Sequence, residues 1–332
     1  MKKRTLLLLA AALALAVIGS AALGRYPIGV REITGILAAR LFPIAPFWSA
    51  TQETLLLNHR LPRVLLACLV GCSLSAAGAA YQGIFRNPMA APDLLGASSG
   101  AAFGAALAIL LGLGGAALLA LSFSMSLATV LLVLFLGRRS GGGRTVGLIL
   151  SGIMVSSLLS SGTSLVKLLA DPQEQLPAIT YWLMGSLNGA QARDVRFAAL
   201  PMALGLIPLL LLRWRVNLLT MGEDEARTLG VNASRLRTVV VLCATLLTAA
   251  SVAVSGMIGW IGLVVPHLAR RLVGSDYRAL LPASMLLGAL FLLLADDVSR
   301  TLLATELPIG ILTALLGAPF FLYLITREGE RL

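Results

Sequence analysis

The sequence predicts an all-α polytopic membrane protein of about ten transmembrane helices, both termini cytoplasmic. Three observations carry this prediction. Hydrophobic residues make up 58% of the 332-residue chain and charged residues 12%, where a soluble domain would be about a quarter charged. Mean hydropathy is +0.91, and apolar runs of roughly 18 or more residues recur from end to end. The runs are continuous rather than alternating in units of about ten residues, which excludes a β-barrel.

Apolar segments fall near 5–24, 61–84, 94–112, 115–137, 145–169, 195–213, 237–256, 258–269, 279–297 and 307–326. The first follows Met1-Lys-Lys-Arg4 and is too long for the h-region of a signal peptide, about 7–15 residues, so it is expected to stay as a helix. Residues 25–59 then form an outer loop in which Ile33, Ile36, Leu37 and Leu41 share one face, the pattern of an amphipathic surface helix. A second outer loop, 170–194, holds Pro172, Pro177, Tyr181 and Trp182 and predicts a short interfacial helix. Residues 214–236 form a polar cytoplasmic loop. The whole chain, 1–332, reads as one transmembrane domain.

Charge sets the orientation. Letting the segments alternate from an inner Arg4 places 17 of the 26 Lys/Arg inside and 9 outside, the positive-inside bias. The net charge of +11 is therefore not a nucleic-acid footprint, since lysine occurs only at positions 2, 3 and 167 and the basic residues sit in short loops. Cys68 and Cys72, four apart, and Cys243 lie in apolar runs, as packed thiols do. His59 and His267 are isolated, so no metal-ligand spacing exists. No lysine follows a glycine, so the chain has no Walker A loop and no catalytic set of its own.

Other patterns lie within the segments. Ser156, Ser157, Ser160, Ser161 and Ser164 fall at i, i+1, i+4, i+5 and i+8, one hydroxyl stripe along a helix. Such hydroxyls either bond back to their own helix and glue neighbours, or line a wetted path. Gly141-Gly-Gly143 before this segment and the Pro-containing loop after it resemble hinges. Small residues at spacing four, Gly71/Ser75/Ala79 and Gly96/Gly100/Gly104, predict close helix packing. Lys167, Asp296 and Asp297 sit near segment ends, and Asp296 with Arg300 forms an i,i+4 pair. An ion-coupled secondary transporter would need internal symmetry, broken central helices and buried carboxylates; neither symmetry nor such carboxylates are evident.

The polar loop is the least expected feature. Three of only 15 Asp+Glu stand together at Glu223, Asp224 and Glu225. Thr220 and Glu223 read as a capping box, Glu223 and Arg227 as an i,i+4 pair, and Gly230 as a C-terminal stop. Asn232 or Ser234 can cap the next helix. A short, capped, acidic cytoplasmic helix suggests a docking surface for a soluble partner.

Several ordered motifs carry a resemblance. Arg60-Leu-Pro-Arg63, Gly78 with Asn87-Pro-Met-Ala-Ala-Pro92 and Leu95-Gly96, Tyr181-Trp-Leu-Met-Gly185, Gly222 through Val231, Gly259-Trp-Ile-Gly-Leu-Val-Val-Pro-His267 and Glu306-Leu-Pro-Ile-Gly310 occur in order from Arg60 to the C-terminus. In these the chain resembles the FecCD-type permeases, membrane subunits of type II ABC importers for iron–siderophore complexes, haem and vitamin B12. The resemblance implies two permease subunits, as a homodimer, around a central path in the cytoplasmic membrane of a prokaryote. It implies two separate ATPase subunits holding ATP and Mg, an extracytoplasmic substrate-binding protein, and no cofactor in this chain. It assigns ATPase coupling to Thr220, Gly222, Glu223, Asp224, Glu225, Ala226, Arg227, Leu229 and Gly230, and the path to the serine stripe. Gates are implied at Arg144–Thr145 and Lys167–Leu168, and contacts to the binding protein at Arg60, Arg63 and Arg300. Ferric siderophore is the first expectation for cargo, with haem and B12 open.

Overall fold

Every apolar segment of the sequence is helical in the computed structural model. It describes residues 2–24, 26–139, 144–303 and 305–329, with only the backbone described for Arg144, Glu223, Leu324, Ile325 and residues 327–329. In chain order the elements are α1 (Lys2–Ala22), α2 (Val30–Ala38), α3 (Ala50–Leu55), α4 (Leu61–Ile84), α5 (Ala97–Leu110), α6 (Ala116–Arg139), α7 (Arg144–Leu169), α8 (Gln175–Leu183), α9 (Ala192–Met221), α10 (Glu223–Thr228), α11 (Ala233–Ser255), α12 (Ile261–Val273), α13 (Tyr277–Thr301) and α14 (Ile309–Gly329). Seven of the described helices are long and apolar enough to cross a membrane, while α5 and residues 309–323 of α14 are apolar but shorter.

Helix α4 is the axis of the bundle, packed by α9, α11, α12 and α13. Its sequence explains why: Ser73, Ser75, Ala76, Ala77, Gly78, Ala79 and Ala80 are all buried and small, so neighbouring backbones come close. A Cβ on Gly71 would lie 2.2 Å from the Gly288 carbonyl oxygen of α13, and one on Gly78 would lie 1.8 Å from the Gly262 carbonyl oxygen of α12. The ridge of α5 works the same way against α6, where a Cβ on Gly104 would lie 2.6 Å from the Leu121 oxygen.

Departures from the sequence reading have local causes. A capping box of Ser49 and Gln52 starts α3, and a π-turn over Leu56–Arg60 joins it to α4. The result is a continuous 35-residue helix, Ala50–Ile84, where the apolar pattern alone begins at 61. The amphipathic helix is real but short. Ile33 and Ile36 bury against Ala21, Ile28 and Leu56, so α2 packs on protein, whereas Leu41 is 81% exposed beyond the helix end. One turn of 3-10 helix at Pro92–Leu95 and a left-handed Gly96 delay α5 to Ala97. The short helix expected within residues 170–194 is α8. Cys243 is buried, but Cys68 and Cys72 are only half-buried, on a crevice at the outside of the bundle. The hinge residues Gly141–Gly143 lie outside the described residues.

Candidate functional site

The acidic segment forms its own short helix, though not with the cap its sequence suggests. Helix α9 continues to Met221 because Val216, Leu218 and Leu219 remain buried past the predicted apolar end. Thr220 therefore belongs to the last turn of α9, and its hydroxyl donates to the Asn217 carbonyl at 2.6 Å. The capping box of Thr220 with Glu223 does not form, and Gly222 is the N-cap of α10. Its φ of +151° favours glycine, and a Cβ there would lie 1.8 Å from Glu225 Oε2, so the carboxylate folds over the residue that breaks the chain. The side chain of Glu223, and with it the Glu223–Arg227 pair, lies outside the described residues.

The far end of α10 closes as expected. Gly230, at φ +77°, donates its N–H to Arg227 O at 2.9 Å, and Val231 donates to Ala226 O at 2.9 Å, a Schellman closure. Asn232 then caps α11, its side-chain oxygen accepting from the Arg235 N–H at 2.9 Å. Ala226 is fully buried and anchors the turn. Met221, Asp224, Glu225, Arg227, Thr228 and Leu229 are exposed. The outcome is a short ridge, closed at both ends, with acidic and apolar side chains exposed.

Helix α7 divides into two faces. One is packed: Gly152 lets the backbone of Leu94 approach, Ser156 sits over Gly96, and Gly162 meets Phe103. The other is bare, carrying Ser157, Ser160, Ser161 and Ser164 among the exposed Ile153, Met154, Leu158, Leu165 and Leu168. Ser161 and Ser164 donate to the carbonyls of Ser157 and Ser160, each at 3.0 Å. Their protons are spent within the helix, so each presents oxygen lone pairs outward. The back-bonding read from the sequence is thus present at Ser161 and Ser164, on a face that is exposed. Thr145 and Lys167 are half-buried and Leu168 is 80% exposed. The Arg144 side chain lies outside the described residues. Twenty-three residues of helix separate positions 144 and 167, about 35 Å.

The three arginines Arg60, Arg63 and Arg300, expected to face outward, each make contacts inside the protein. Arg60, 8% exposed, donates to the carbonyls of Ala21 and Ala22, both at 2.9 Å, and to that of Tyr26. Arg300 donates to Ser20 O at 2.7 Å and Leu23 O at 3.0 Å, and pairs with Asp297. Both therefore satisfy the last carbonyls of α1, where a cation is favoured. Arg63 binds Asp296 at 2.9 Å and Glu306 at 3.0 Å, joining α4 to α13 and to the segment before α14. Arg300 reaches Asp296 only at 4.0 Å, so the i,i+4 pair read from sequence is secondary to Arg63–Asp296. No cluster of three or more His, Cys, Asp or Glu suited to a metal occurs among the described residues.

Comparison with known proteins follows this geometry. The model of the FecCD transport family matches residues 11–327. The chain is 41% identical over 313 residues to a molybdate import system permease protein of Haemophilus influenzae, covering 93% of this chain and 92% of that one. It is 46% identical over 278 residues to a probable iron chelatin transport system permease protein of Helicobacter pylori, 84% of each. A solved structure assigned to the metal-chelate type ABC transporters, in an inward-facing conformation, superposes with a TM-score of 0.88 at 38% identity, covering 98% of this chain and 99% of that one. The chain belongs to the FecCD transport family, as a multi-pass membrane permease subunit of an ABC importer and not its catalytic subunit.

Proposed function

We propose that two copies of this chain form the translocation path of an importer in the cytoplasmic membrane of a prokaryote. Each copy docks one ATPase subunit, which binds ATP and Mg, through the ridge of Thr220, Gly222, Glu223, Asp224, Glu225, Ala226, Arg227, Leu229 and Gly230. The bare face of α7, with Ser157, Ser160, Ser161 and Ser164, lines the path, and Ser156 packs behind it over Gly96. Arg144–Thr145 and Lys167–Leu168 stand at its two ends as gates. An extracytoplasmic binding protein delivers the cargo to the outer rim. Arg60, Arg63 and Arg300 serve that rim by holding α1, α4 and α13 in register, as positioning residues and not as contacts.

The observation that carries this reading is the ridge itself. A helix of one and a half turns is unstable alone, yet α10 is fixed by a glycine break before it, a Schellman closure after it and buried Ala226 beneath it. Bilayer insertion requires nothing of this kind.

The cargo is read as a chelated iron of the ferric-siderophore class. Neutral hydroxyl lone pairs suit passage of a polar complex better than tight ionic capture. A second reading, molybdate, is favoured by the relative that aligns over 93% of the chain. Co-expression with neighbouring transport genes, purification of the complex and identification of the ligand held by its binding protein test both. A ferric chelate supports the first reading, molybdate the second, and a complex lacking any ATPase subunit refutes the importer proposal.

A further inference from the structure

We propose that the crevice between α1, α4, α9 and α13 is a binding site for an anionic phospholipid, with Arg213 holding the phosphate. The crevice encloses about 540 Å³ and is lined almost wholly by apolar side chains, among them Leu13, Leu65, Leu69, Leu210 and Met285. That volume falls within the range of ligand sites, roughly 300–1,000 Å³. Its lining runs from Leu65 to Cys72 along α4, about 10 Å of helix, so it is an elongated slot parallel to the helix axes. It opens on the outside of the bundle, where Leu65 is 43% exposed.

Arg213 lies at one end of this slot and, among the described residues, is its one charged lining residue. It is half-buried, and among the described residues no acidic side chain pairs with it. The carboxylate of that neighbourhood, Asp276, is already held by Lys2 at 3.4 Å and by the Asn217 amide at 2.6 Å. A guanidinium inside a spanning helix and unmatched by a carboxylate is costly unless a ligand or interfacial group meets it. Arg213 stands eight residues before the end of α9, near enough for its long side chain to reach the interface at the end the charge bias places in the cytoplasm.

The neighbouring residues have the same character. Trp214 is 45% exposed, and the Arg278 guanidinium lies 5.7 Å from its ring centroid. Arg215 and Arg235 line a second cavity beside it. An aromatic ring among basic groups at the inner interface is the setting in which an anionic headgroup is held. An acyl chain fills the apolar slot, and the phosphate completes the guanidinium. The slot is also separate from the proposed path, because among the described residues α7 packs chiefly on α5 and α6, whereas the slot is formed by α1, α4, α9 and α13.

Native mass spectrometry of the intact permease–ATPase complex, extracted from vesicles of equal phosphatidylglycerol and phosphatidylethanolamine, tests this. Wild type should retain phosphatidylglycerol over phosphatidylethanolamine by about fivefold, the ratio one basic residue supports near an anionic surface. Arg213→Gln should bring the ratio to about one, Arg213→Lys should keep it, and Leu69→Trp should remove both lipids by filling the slot. Arg193→Gln, at the other end of α9, should change nothing. Retention of the full preference in Arg213→Gln, loss of it in Arg213→Lys, lipid still bound in Leu69→Trp, or displacement of the lipid by inorganic phosphate alone would overturn the assignment.

Discussion

Replacing Arg63 with Ala separates two roles that the same residue could have at the outer rim. The Asp296 side chain is fully buried and Glu306 is 27% exposed, and Arg63 is the cation that meets both. Its removal leaves Asp296 as a charge without its main partner, because Arg300 approaches only to 4.0 Å. Breaking a buried pair from one side costs about 3–5 kcal/mol. The Glu306 contact adds little, about 0–1 kcal/mol, because water reaches it. The expected loss is therefore about 3–4 kcal/mol, most of it from Asp296. Denaturant titration of the purified permease in mixed micelles reads this. The double variant Arg63→Ala/Asp296→Ala should recover a large part of the loss, since no charge is then left stranded. A stability within about 0.5 kcal/mol of wild type for Arg63→Ala, together with salt-dependent loss of binding-protein docking, would refute the positioning role and restore the outward-facing one.

Other predictions concern the inner end and the path. Gly222→Ala places a Cβ against the Glu225 carboxylate at a φ of +151°, and should displace α10 and lower transport per ATP hydrolysed. Gly230→Ala, with open space around it at φ +77°, should cost only about 1 kcal/mol and leave coupling intact. Ser160→Leu/Ser164→Leu should abolish uptake in a reconstituted transport assay while the complex still assembles and hydrolyses ATP. The Asp276 carboxyl is held below its usual pKa by the Arg278 N–H, then by Asn217 and Lys2. Its contribution to stability is therefore complete above the ordinary carboxylate range and is lost as pH falls through the lowered value. The melting difference between wild type and Asp276→Ala should accordingly be full near pH 7 and vanish in strong acid.

Much of the fold was legible because lipid imposes simple rules. Continuous apolar runs located the long helices, and small residues at spacing four at Gly71 and Gly104 marked where backbones meet. Helix ends were less legible, since hydropathy registers burial in lipid and not capping. Residues 214–221 are polar enough to read as a loop, yet Val216, Leu218 and Leu219 keep α9 helical, and this moved the cap from Thr220 to Gly222. Glycine at 222, followed three residues later by Glu225, was the available signal. The arginine network was illegible for a different reason. Apart from the local Arg300–Asp297 pair, Arg60, Arg63 and Arg300 are far from their partners in sequence, at Ala21, Glu306 and Ser20. Only the tertiary fold shows that most of their donors are engaged within the protein. Their position on the side disfavoured for basic residues marked them as needing a reason, and the ends of α1 and the carboxylates of α13 supply one.

The central claim is that the ridge at α10 transmits ATP hydrolysis to the path. Charge reversal across Glu223, Asp224 and Glu225, each to Lys, tests it in the reconstituted complex, with ATP hydrolysis and uptake measured together. Opposed like charges at a docking surface cost several kcal/mol, so uptake per ATP should fall by more than about tenfold while the permease keeps its wild-type melting temperature. Uptake per ATP equal to wild type in a folded triple variant would contradict the account.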